Sequence, residues 1–101
     1  MNIAVLTPDR ELFRGSISSV KVPGVKGEFQ ILNNHAPIVS SLLSGKVVMV
    51  TDAGEYTYWD AAAGETVKGT EPGRLVSYQI EGGFVEVLNN EVSLLVQGVT
   101  Q

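Results

Sequence analysis

Catalysis and metal binding need convergent ionisable groups, and this chain offers few of them: one histidine, His35, and eleven Asp and Glu residues spread over turns and strand edges. There is no cysteine, which excludes thiolate zinc or iron–sulfur ligation, a cysteine nucleophile and a disulfide framework. His35 stands before Ala36-Pro37 and is read as fixing a loop through its ring nitrogens. Gly24-Val25-Lys26-Gly27 and Gly45-Lys46-Val47 combine glycine with lysine, yet neither has the glycine spacing and Lys-Ser/Thr ending that cradle a nucleotide phosphate. These glycines are read as turns. Tyr56, Tyr58 and Trp59 contain the rings of an aromatic platform, but strand alternation puts Tyr56 and Tyr58 on one face and Trp59 on the other, so core packing is the expected use. The acidic pairs Asp9 with Glu11 and Glu65 with Glu71 sit in polar surroundings and are expected to be solvated. No catalytic residue, metal site or cofactor is expected.

The elements that would position these residues are strands. Apolar residues alternate with polar ones over short windows, and Gly, Pro, Asn and Asp interrupt them at strand-like spacing. Near Ile17, Val20 and Val22 the period of two slips at Ser18-Ser19, which predicts a β-bulge. Pro23-Gly24 and Gly27 are expected to make a turn, and Asn33-Asn34 a tight loop over 32 to 35, with Pro37 close behind it. Val47, Val48, Met49 and Val50 stand in a row, which predicts a central strand covered on both faces. The segment from Ala61 to Gly73 is small, polar and glycine-rich and reads as a long loop or hairpin tip. Val76, Tyr78 and Ile80 then share one face. Gly82-Gly83 is expected to turn the chain, and Asn89-Asn90 between two alternating runs predicts a hairpin. Ala61-Ala62-Ala63 stops at Gly64 before a helix could propagate. The expected fold is all-β, a flattened sandwich or barrel of about nine to ten strands in two sheets.

Bulk properties narrow the function. One hundred and one residues suit a single domain, and 44% apolar composition supplies one core. A net charge of −4 would repel the phosphates of a nucleic acid. The N-terminal Met1-Asn2-Ile3-Ala4-Val5-Leu6 lacks the basic start of a signal peptide, and no apolar run reaches the ~20 residues of a bilayer span. A cytoplasmic protein that inserts in no membrane by itself is expected, with binding or scaffolding favoured over catalysis.

Four segments, in order, resemble one family: Ile3 to Gly15 (Ile-Ala-Val-Leu-Thr-Pro-Asp-Arg-Glu-Leu-Phe-Arg-Gly), Val20 to Phe29 (Val-Lys-Val-Pro-Gly-Val-Lys-Gly-Glu-Phe), Asn34-His35-Ala36-Pro37, and Gly82 to Val87 (Gly-Gly-Phe-Val-Glu-Val). The chain resembles the N-terminal β-sandwich domain of ATP synthase epsilon subunits. The resemblance implies a non-catalytic subunit of the rotor's central stalk, which couples proton translocation through the membrane ring to ATP synthesis. Its implied partners are the gamma subunit and the membrane c-ring, with the catalytic hexamer reached indirectly, on the inner face of the energy-coupling membrane. Lys26, Gly27, Glu28 and Phe29 are implied to face the ring, with His35 close by, on two tight loops at one end of the sandwich. A sheet face elsewhere would pack against gamma, so an exposed apolar strip is expected.

Two features depart from the family's pattern. Its members commonly add a C-terminal helical hairpin after the last strand, and the expectation for residues 1–101 is a single domain without it. The stretch from about Glu55 to Ser77 is longer than the family's usual passage into the Gly-Gly-Phe strand and is expected to be an inserted hairpin or loop. The alternative reading, from another functional class, is a small-ligand or carbohydrate-binding β-sandwich that uses Tyr56, Trp59 and the loop at 61 to 73.

Overall fold

Alternation along the chain produces ten strands in the computed structural model, which describes residues 1–100. These are β1 (Asn2–Leu6), β2 (Glu11–Gly24), β3 (Gly27–Leu32), β4 (Ile38–Leu42), β5 (Gly45–Thr51), β6 (Tyr56–Asp60), β7 (Glu65–Gly69), β8 (Leu75–Ile80), β9 (Gly82–Leu88) and β10 (Glu91–Gln97). Among the described residues there is no helix.

The fourteen residues of β2 organise the fold. On one edge β2 pairs first with β1 and then with β3, and on the other with β6, β5 and, through Gly24 and Leu42, β4. Its register shifts between Ile17 and Ser19, where the slipped alternation placed a bulge. β1 also pairs with β10 in parallel, β10 with β9, and β9 with β4, so the circuit β1–β10–β9–β4–β2 closes on itself. The sandwich layers are therefore not two separate sheets. One hydrogen-bonded network folds over because β2 is long enough to run through both layers.

The core fills with one side chain in two from each strand, including Ile3, Val5, Phe13, Ile17, Val20, Val22, Ile31, Met49, Val85 and Leu94. β5 is central, between β2 and β8, as its apolar run suggested. Only Val47, Met49 and Thr51 on it are fully buried, whereas Val48 and Val50 on the other face are half-covered.

The Glu55 to Ser77 stretch is a hairpin. β6 pairs with β7, from Tyr56 opposite Gly69 to Asp60 opposite Glu65, so much of the expected long loop at 61 to 73 is the ordered strand β7. Tyr56 anchors it: its ring stacks on Phe13 with centroids 5.3 Å apart, and it is 2% exposed. A methyl group on Gly69 would lie 2.6 Å from that ring, which leaves glycine as the residue that fits. At the base of the hairpin the buried Thr51 donates its hydroxyl to the Glu71 carbonyl at 2.6 Å and accepts the Arg74 N–H at 2.9 Å.

Several expected turn residues lie inside strands. Pro23 and Gly24 end β2, opposite Glu28 and Gly27, and the turn itself is Val25-Lys26. Gly82 and Gly83 start β9, opposite Gln97 and Val96, while Glu81 alone makes the bend from β8. Gly83 is glycine for another reason: its φ is +152° and a side chain there would strike the Leu95 carbonyl. Pro37 lies in the loop before β4. Asn89 and Asn90, with φ of 50° and 62°, form the two-residue hairpin loop that their type predicts.

Candidate functional site

The residues expected at the membrane ring lie on β3 and its two flanking loops, and among the described residues β3 is an edge strand that pairs only with β2. At one end, Lys26 and Glu28 are exposed and Gly27 adopts φ of +119°. Phe29 is half-buried and turns its ring onto Gly24, where an added methyl would lie 2.7 Å away. The expectation that both loops share one end is overturned. Glu28 and His35 lie toward opposite ends of β3, because the intervening residues are extended, and Glu28 to Leu32 alone spans about 13 Å at strand rise. The His35 backbone N–H closes the tight loop onto the Leu32 carbonyl at 3.1 Å. Its ring Nδ1 lies 2.7 Å from the Ala36 carbonyl, as expected for a loop-fixing histidine.

Sequence reasoning missed neighbours at each end. Around His35, Asn90 accepts the Asn34 N–H at 2.8 Å and donates to Asn33 at 3.0 Å, and Asn33 also accepts the N-terminal amine at 3.0 Å. Both loops were visible as Asn-Asn, but their pairing across 57 residues was not. At the Glu28 end, Val25 and Leu43 are both exposed, and the Leu43 N–H donates to the Pro23 carbonyl, so the β4–β5 connection stands beside the β2–β3 turn.

The outer face of β1, β10, β9 and β4 carries the apolar strip. Leu6 is opposite Leu95, Leu95 opposite Phe84, and Phe84 opposite Ser41. Phe84, Leu88, Leu95 and Val39 are exposed, Val39 most of all at 73%. The acidic groups on this face are Glu86, opposite Val39 and Ser93, and Glu91, opposite Leu88 and Asn2. Four large exposed apolar side chains on adjoining strands exceed the scattered exposure of an ordinary surface.

The aromatic group on the hairpin is differently arranged. Tyr56 is buried beneath Gly69 and Phe13, and the Arg10 guanidinium covers one face of Trp59 at 4.0 Å. Tyr56 therefore packs into the core as expected, and Arg10 occupies a face of Trp59 that the sugar platform of the alternative reading would need. Arg74 lies 5.0 Å over Tyr58 and donates to the Tyr56 hydroxyl at 3.3 Å, contacts that raise its pKa. Tyr78 is pushed up to about 12 by burial, with Arg74 opposing the shift. Glu11 is not simply solvated, since it pairs with Arg14 at 2.9 Å and raises the arginine's pKa, while Glu65 and Glu71 are exposed as expected. Among the described residues no group of three or more His, Asp or Glu could hold a metal, and no helix is long and apolar enough to cross a membrane.

Comparison with known proteins gives the family. The profile of the ATP synthase delta/epsilon chain β-sandwich domain matches residues 1–64. An ATP synthase epsilon chain of Chlorobium limicola is 36% identical over 97 residues, which cover 95% of this chain and 88% of that one. One from Leptospira borgpetersenii is also 36% identical, but the match spans 59% of its length. The fold is shared with a chain in the central stalk/c-ring structure of the Tetrahymena thermophila mitochondrial ATP synthase, with TM-score 0.71 and 16% identity, covering 100% of this chain and 66% of that one. A chain in the Euglena gracilis mitochondrial ATP synthase gives TM-score 0.71 at 18% identity, covering 97% of this chain and 51% of that one. With its profile matching 64 residues and a 36% identical relative spanned over most of its length, the chain belongs to the ATP synthase delta/epsilon β-sandwich family.

Proposed function

We propose that this protein is a non-catalytic rotor subunit of an ATP synthase, which joins the central stalk to the membrane ring and so couples proton flow to ATP synthesis. The observation that carries the reading is the apolar face of Val39, Phe84, Leu88 and Leu95 on β4, β9 and β10, in an otherwise acidic chain. A stalk subunit must be held against torque by a contact of at least standard size, roughly 1,200–2,000 Å², and an apolar sheet face is suited to supply it. Gamma is assigned to this face.

The ring is assigned to the β3 edge. Lys26, Gly27 and Glu28 meet it at one end of the strand and His35 at the other, with Phe29 packed behind them as a rigid backing. The polar loops of a ring made of repeated subunits would then lie along the whole strand. Val25 and Leu43 extend the contact at the Glu28 end. The family membership and the stalk assemblies that contain the same fold support this arrangement.

The test is Glu28→Arg in the reconstituted complex. Glu28 is exposed, so the fold should be retained, while ATP-driven proton pumping into vesicles falls relative to ATP hydrolysis. Pumping and hydrolysis in the wild-type ratio would remove Glu28 from the ring contact.

A further inference from the structure

The sheet face assigned to gamma carries two carboxylates with different surroundings. Glu91, at its margin, accepts a hydrogen bond from Asn2 Nδ2 at 3.4 Å. It also lies near enough to Arg14 to add to the rise in that arginine's pKa, which Glu11 chiefly causes. Glu86 has no such company. It is exposed, opposite Val39 on β4 and Ser93 on β10. Phe84 and Leu88 stand on the same face of its own strand, Leu95 and Glu91 are diagonal to it on β10, and Ser41 is diagonal on β4. None of these is basic, and Glu86 joins neither of the two ion pairs found among the described residues.

Beside Glu86 is a shallow hollow of about 240 Å³, lined by Pro37, Ile38, Val39, Glu86, Val87 and Leu88. Every lining residue except the carboxylate is apolar. Covering this group with an apolar surface would desolvate a charge that has no counter-ion, a cost that the surrounding apolar contacts do not offset. An apolar hollow that ends at a carboxylate suits instead the aliphatic stem and charged head of a lysine or arginine.

We propose that the subunit docking on this face lays one long basic side chain between Pro37, Val39 and Leu88 and pairs its charge with Glu86. The inference rests on the assignment of gamma to the β1–β10–β9–β4 face, and adds the residue that selects the partner and fixes its position. Phe84 and Leu95 offer area that any apolar surface could cover. Glu86 rejects a surface without a correctly placed cation, because the carboxylate would then be buried unpaired. Glu91, balanced within the chain and marginal to the face, stays in water and adds little.

The test is isothermal titration of purified gamma with the full chain and with four single variants. Glu86→Gln should weaken binding about thirtyfold, since it leaves the partner's cation buried without its counter-charge. Glu86→Leu should weaken it at least as much, although it enlarges the apolar face. Glu91→Gln removes the same charge from the same sheet and should change binding less than about threefold. Phe84→Ala reports on docking itself and should weaken binding about tenfold or more. The urea midpoints of both Glu86 variants should stay close to wild type, because the side chain is exposed. Equal or tighter binding by Glu86→Leu would overturn the inference, and a loss with Phe84→Ala in the same experiment would leave the docking face standing. Equal losses in Glu86→Gln and Glu91→Gln would mark a diffuse charge effect and would also overturn it. Wild-type affinity in every variant would overturn the docking assignment and the inference together.

Discussion

Phe13 of β2 and Tyr56 of β6 stack with their ring centroids 5.3 Å apart and their planes 21° from parallel. This contact fastens the β6–β7 hairpin to the barrel, because the backbone pairing between β2 and β6 involves only Phe13 with Tyr58 and Arg14 with Thr57. Tyr56→Ala should cost about 3–5 kcal/mol in urea denaturation, the usual range for deleting a buried ring. Gly69→Val forces a side chain into the same ring and should cost about 1–3 kcal/mol. In both variants the amides of residues 56 to 69 should lose exchange protection before those of β1 and β10.

Tyr78 makes stability fall in alkali. Burial raises its phenol from 10.0 to about 12, so above pH 10 the unfolded chain releases this proton while the folded chain keeps it. The contribution is fully present below pH 10 and is lost as pH rises toward 12, by roughly 2–3 kcal/mol in all. Tyr78→Phe should flatten the fall in urea midpoint over that window.

Asn90 joins the β9–β10 hairpin loop to the loop that follows β3. It holds φ of 62° and bonds both Asn33 and Asn34. Asn90→Ala loses these bonds and adds left-handed strain, for a cost of about 2–3 kcal/mol. Asn90→Gly removes only the bonds and should cost about half as much, so comparing the two denaturation midpoints separates the terms.

Phe84 is exposed at the centre of the apolar face. Phe84→Glu should change stability by less than about 0.5 kcal/mol and weaken gamma binding by about a hundredfold, as for a central interface anchor. Isothermal titration with purified gamma measures the second effect.

How far the sequence could be read depends on the range of the interaction concerned. Local signals were reliable: the Ser18-Ser19 slip became the β2 irregularity, and Asn89-Asn90 became a two-residue hairpin. Glycine was ambiguous, since its freedom serves turns and close approaches alike. Gly82-Gly83 looked like a turn and is a strand start under the Leu95 carbonyl. The segment from 61 to 73 concealed β7 because its apolar content is small and its pairing with β6 is mostly backbone. Of the candidate contacts, Glu28 was named from the sequence, whereas the apolar strip was expected without Phe84 or any other member being identified. Their arrangement was not legible, because the separation of Glu28 from His35 and the alignment of Leu6, Leu95 and Phe84 arise from strand pairing between distant parts of the chain.

The central claim is that the β1–β10–β9–β4 face docks on the stalk, and the absence of native cysteine allows a direct measurement. Single Val39→Cys, Phe84→Cys and Leu75→Cys variants are labelled with a maleimide, alone and with saturating gamma, and the labelled chain is followed by mass. The account predicts at least tenfold slower labelling at Val39→Cys and Phe84→Cys with gamma present, and an unchanged rate at Leu75→Cys. Equal rates at all three positions, or protection confined to Leu75→Cys, would contradict it.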